Sequence, residues 1–108
     1  MTEYAVRYPK LHYLFGGYFH QDWADDERIV VGSFEDVVRY FKAMNPAATV
    51  SQATRELEEF MRLDLSEDAL HDIVVDDLRA NVYAPGLGLT YRQWLEAVLG
   101  ILKKPTGG

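Results

Sequence analysis

No cysteine occurs among the 108 residues. Disulfide frameworks and thiolate metal sites are therefore excluded, which fits a reducing compartment. Apolar runs are short, and none approaches the roughly 20 residues a membrane-crossing helix needs. Basic charge is scarce: 11 Lys and Arg stand against 17 Asp and Glu, a net charge of −6 at pH 7. Such a balance argues against nucleic-acid or anionic-membrane partners and favours a basic one. The opening MTEYAVRYPK lacks the basic-then-apolar order of a signal peptide. The expectation is a cytoplasmic chain with no nucleic-acid partner and no membrane partner. Phosphate-cradling loops are missing too, since Gly86-Leu87-Gly88 is a lone G-x-G without a strand before it. Ser33, Ser51 and Ser66 read as helix caps or helix starts, not as nucleophiles on a strained turn.

What is present is the material of a folded globule, with 48% hydrophobic and 13% aromatic residues. The length suits one domain over 1–108 with a single modest core and a loose tail from about 104. Pro9 fits the first turn of a helix whose apolar face is Leu11, Leu14, Phe15, Tyr18 and Phe19. Gly16 and Gly17 weaken that helix by about 1 kcal/mol each relative to Ala, so either it ends there or another element approaches closely. Ser33 with Asp36 resembles a capping box for a second helix, with Phe34, Val37, Val38 and Phe41 as its stripe and Asn45-Pro46 as its stop. Thr49 with Gln52 predicts the start of a third helix, supported by Arg55/Glu59 and Glu58/Arg62 at i,i+4. Ser66 caps a fourth through Leu78, and Thr90 with Gln93 caps the last, which carries Tyr91, Trp94, Leu95, Val98, Leu99 and Leu102. The pattern predicts an all-α, compact single-domain bundle of about five amphipathic helices. Ile29-Val30-Val31 is the one strand-like run, too short to build a sheet alone.

The densest stretch is GGYFHQDWADDE at 16–27, which combines three aromatics, a histidine and four carboxylates. His20, Asp22, Asp25 and Asp26 are metal-ligand types, yet their spacing matches no pattern that makes ligands converge. No cofactor is expected. Tyr18, Phe19 and Trp23 instead suit anchors of a helix end, with His20, Gln21 and Asp22 satisfying the backbone groups freed there. Asp25, Asp26 and Glu27 then form an acidic tail to the motif. A second acidic group follows on the fourth helix, where Asp68, Asp72 and Asp76 fall at i, i+4 and i+8 beside Asp77. Like charges at this spacing destabilise a helix by roughly 0.2–0.5 kcal/mol per pair. Asp68 gains from the helix dipole, but Asp72, Asp76 and Asp77 do not. Either the face serves solubility or a partner uses it.

Tyr8-Pro9-x-Leu11 followed by Tyr18-Phe19-His20-Gln21-Asp22-Trp23 resembles the start of bacterial contact-dependent growth inhibition immunity proteins, the CdiI family. Phe-Glu-Asp-Val-Val at 34–38, Leu-Ser-Glu-Asp-Ala-Leu at 65–70 and Thr90-Tyr91-Arg92-x-Trp94-Leu95 are similar as well. The chain departs from that pattern over 27–32, where a more polar Asp/Gly turn is expected. The resemblance implies a small cytoplasmic, non-enzymatic protein that binds the C-terminal domain of a cognate secreted toxin one-to-one and blocks it. Many such toxin domains are nucleases with basic substrate surfaces, which an acidic inhibitor would complement. Asp25, Asp26 and Glu27 with Asp68, Asp72, Asp76 and Asp77 are the candidate toxin-binding residues. The competing readings are a helical adaptor for a basic partner other than a toxin, and a metal-dependent hydrolase using His20 and Asp22.

Overall fold

The computed structural model describes residues 3–19 and 33–104. Its helices are α1 (Glu3–Arg7), α2 (Pro9–Tyr18), α3 (Phe34–Met44), α4 (Ala47–Met61), α5 (Glu67–Asp72) and α6 (Tyr91–Lys103). A π-helical turn, Ile73–Asp77, continues α5, and a 3-10 turn, Ala84–Leu87, precedes α6. No strand occurs among the described residues. The all-α bundle is therefore as the apolar periodicity requires. Ile29-Val30-Val31 lies outside the described residues, as does the tail from 105.

Local side-chain caps set three of the helix starts among the described residues. Ser33 Oγ accepts the Asp36 N–H, Ser66 Oγ accepts that of Ala69, and Thr90 with Gln93 closes a reciprocal capping box. The predicted start at Thr49 is corrected: α4 begins at Ala47, with Pro46 as its N-cap. Proline fixes φ near the value this position adopts, and two alanines, the best helix formers, follow. The i,i+4 pairs proposed for α4 are also replaced, because Glu59 pairs with Arg7 at 3.3 Å and Glu58 with Lys103 at 3.5 Å. Tertiary cations outcompete those on the same helix.

The core is built around α6, which packs against α3, α4 and α5. Its Trp94 is fully buried, with ring centroids 5.3 Å from Phe15, 5.2 Å from Phe19 and 6.1 Å from Phe34. Offset and edge contacts of this kind add to the burial energy of each ring. Phe19 is fully buried, whereas Tyr18 is only half-buried. Tyr18 packs edge-on against Phe41 and accepts the Asn45 Nδ2–H at 3.0 Å, which ties α2 to the end of α3. His20, Gln21, Asp22 and Trp23 lie outside the described residues.

Helix α2 runs through both glycines to Tyr18. Gly16 lies close to the chain that follows α5: a Cβ there would stand 3.4 Å from Arg79 Cβ and 3.6 Å from the Leu78 carbonyl oxygen, at contact distance. The end of the π turn packs on α2 here, and the Asn81 N–H donates to the Phe19 carbonyl at 2.8 Å.

Candidate interaction surface

The α5 unit begins as an ordinary helix, then widens. The Leu78 N–H reaches the Ile73 carbonyl at 2.8 Å, an i→i+5 bond, and the Ala80 N–H reaches the Val74 carbonyl at 2.9 Å. Single π turns of this kind insert one residue into the helical repeat. They keep Ile73, Val74 and Leu78 buried while the acidic residues between them face outward. Arg79 then ends the turn with φ at +68°, the left-handed region that glycine favours.

Asp68 and Asp72 share one face of α5 at helical spacing, and both are exposed. Asp76 and Asp77 sit in the π turn, Asp76 exposed and Asp77 half-buried, so the i,i+4,i+8 stripe does not run straight across it. Asp72 accepts from His71 Nδ1 at 2.9 Å when that nitrogen carries the proton. Asp68, Asp76 and Asp77 make no ion pair or side-chain hydrogen bond among the described residues, and Asp76 does not reach Arg79 despite their closeness in sequence. Four carboxylates are thus gathered on one element, where among the described residues their structural contacts are the helix dipole at Asp68 and the His71 pair of Asp72. Asp25, Asp26 and Glu27 lie outside the described residues, so the two acidic groups cannot be placed together.

The other first-turn acid of α5 has a different task. Glu67 receives the backbone N–H groups of Tyr91 and Arg92, the latter at 3.2 Å, and so caps α6. Arg92 in turn donates to the Leu65 carbonyl at 3.0 Å. These bonds clamp the start of α5 onto α6, and the acidic face is presented by a fixed scaffold.

Beside this face, Pro9, His12, Tyr13, Gly16, Gly17 and Arg79 line an open cleft of about 380 Å³. Tyr13 could have been expected here, because it falls off the apolar stripe of α2. Arg79 could not, since its position depends on the π turn. The proposed metal ligands His20, Asp22, Asp25 and Asp26 fall outside the described residues. Among those described, no cluster of three or more His, Asp or Glu side chains could hold a metal ion, and no helix is long and apolar enough to cross a membrane.

A family model of the CdiI immunity protein matches residues 7–102. The chain belongs to the CdiI immunity protein family. No curated protein sequence matches it. Among solved structures, a chain in the crystal structure of the CdiA-CT/CdiI complex from Y. kristensenii 33638 is similar in fold, with a TM-score of 0.78. The two are 27% identical over 90% of this chain and 99% of that one. The matched span of the CdiI-family chain runs from α1 to α6 and includes the whole α5 unit and the cleft. CdiI proteins are inhibitors, not enzymes.

Proposed function

We propose that this chain protects its producer by binding the C-terminal toxin domain of a cognate contact-dependent growth inhibition protein, one-to-one, in the cytoplasm. The observation that carries this is the family match over 7–102, joined to the likeness with a chain from a CdiA-CT/CdiI complex. In this reading the chain catalyses nothing and acts by occupying the toxin's surface. The exposed carboxylates Asp68, Asp72 and Asp76 and the half-buried Asp77, with Asp25, Asp26 and Glu27, supply the negative side of the contact. A basic, nuclease-like toxin surface is the complement they suit, because desolvated charge pairs at such interfaces can couple strongly.

The test is co-expression with the C-terminal toxin domain of a candidate cognate contact-dependent growth inhibition protein. Restored growth and a stable one-to-one complex are expected. Continued lethality with no co-purification would reject the pairing and favour a helical adaptor with another basic partner.

A further inference from the structure

Two locally unfavourable features and an exposed, fixed aromatic ring meet at one place on the surface. Gly17 is exposed inside α2, and a Cβ there would meet only the Tyr13 ring at 3.7 Å, ordinary contact distance. Packing does not require glycine there, yet it lowers helix propensity. Arg79 holds a left-handed backbone that side chains rarely adopt, and its guanidinium has no ion-pair or hydrogen-bond partner among the described residues. Tyr13 is 45% exposed, with its ring edge-on to Tyr18 at 5.6 Å and to Phe41 at 6.0 Å, so the ring is held in place. All three line the 380 Å³ cleft, whose bare floor is Gly16-Gly17. Packing gives no reason for glycine at 17 or for an unpaired guanidinium at 79.

We infer that the cleft is a receptor for a carboxylate side chain of the toxin domain, held by the Arg79 guanidinium against the glycine floor and the Tyr13 ring. The inference rests on the immunity reading and adds a partner chemistry opposite to that of the acidic face. A net charge of −6 repels carboxylates generally. An unpaired arginine in a cleft is therefore a place where a partner's Asp or Glu gains and a misaligned partner loses, which fixes register and selects the cognate toxin. Arginine suits the task because its planar fork can hold a carboxylate through two parallel hydrogen bonds, whereas lysine offers only a point charge. A backbone floor lets the incoming side chain approach closely.

Arg79→Gly provides the test, because glycine accepts the left-handed backbone while removing the guanidinium. Calorimetric titration uses the C-terminal toxin domain that this chain neutralises on co-expression. R79G should melt no lower than wild type yet bind at least roughly tenfold more weakly, with R79K falling between. Gly17→Leu, which fills the floor, should weaken binding similarly while preserving helicity. Reversing the toxin domain's Asp and Glu residues one at a time should identify one position whose change to Lys restores binding to R79E. Undiminished binding by R79G and G17L, with wild type binding normally, would overturn the cleft and leave the immunity reading intact. Weakened R79E binding that no toxin reversal rescues would overturn the carboxylate occupant. Absence of binding by wild type would overturn the immunity reading and this inference with it.

Discussion

Glu56 and Leu11 are 45 residues apart in sequence, yet Glu56 Oε1 accepts the Leu11 N–H at 3.1 Å and that of Lys10 at 2.8 Å. These are N–H groups of the first turn of α2, whose own N-cap residue, Tyr8, provides no side-chain cap. Gln52 donates to Oε2 at 2.9 Å, so both oxygens of this buried carboxylate are satisfied. A helix start without a local cap is thereby completed from α4.

Replacing Glu56 by Ala should destabilise the chain by about 2–3 kcal/mol, because two donors near the core lose a charged acceptor. Glu56→Gln should cost less, since one oxygen remains for the α2 amides. Urea unfolding of both variants checks the order. Equal losses would mean that the negative charge, which both variants remove, carries the whole effect.

Lys42 serves the opposite end of α6. It is buried, and its Nζ donates to the Ile101 carbonyl at 2.6 Å and to that of Lys104 at 2.5 Å. Burial lowers its pKa from the ordinary lysine value of 10.5, and the nearby Lys104 charge acts in the same direction. Below 10.5 the unfolded chain therefore holds more protons at this site than the folded chain, so its contribution to stability rises with pH toward 10.5. Lys42→Met should cost about 1 kcal/mol at neutral pH through the lost carbonyl contacts. The gap to wild type should widen as the pH is raised from neutrality toward that value. A gap constant with pH would show that the ammonium is as well solvated folded as unfolded.

These caps mark the boundary of what the sequence makes legible. Ser33, Ser66 and Thr90 announce their helices because donor and acceptor lie three residues apart, a distance that a short motif can encode. Glu56, Glu67 and Lys42 act on helices 24 or more residues away, where no local pattern records the partner. The same cause undid the i,i+4 pairs of α4, since Arg7 and Lys103 reach its glutamates only after the bundle assembles. The acidic face was readable as composition, but its curvature was not. A π turn and an α-helix share the same apolar spacing over five residues, and packing of Ile73, Val74 and Leu78 decides between them. Family membership was legible in Tyr-Phe-His-Gln-Asp-Trp, whereas the cleft required the Gly16–Arg79 approach.

Two buried tyrosines should dominate alkaline behaviour. Burial raises the pKa of both Tyr8 and Tyr91 above the usual 10.0. Stability from this source is complete below 10.0 and is lost as the pH climbs through the raised folded values. Tyr91 donates to the Val82 carbonyl at 2.8 Å, whereas the Tyr8 hydroxyl has no partner among the described residues. Tyr8→Phe should therefore raise stability at pH 7 by about 1 kcal/mol, and Tyr91→Phe should lower it by a similar amount. Either change should flatten the fall above pH 10. If Y8F proves destabilising, a partner for that hydroxyl exists in the folded chain.

The acidic face makes a prediction whose sign depends on salt. Asp72→Lys with Asp76→Lys should leave helicity unchanged or slightly improved, because both carboxylates are exposed and relief of like-charge repulsion is worth only tenths of a kcal/mol. Toxin-domain affinity should fall at least roughly tenfold at low ionic strength, mainly through slower association. At 0.15 M salt or above, where charges are screened beyond about 8 Å, the deficit should shrink if the carboxylates only steer the encounter. A deficit that persists in high salt would instead place Asp72 and Asp76 in close, desolvated pairs at the contact. Undiminished affinity at every ionic strength would remove the α5 unit from the interface and assign its charge to solubility.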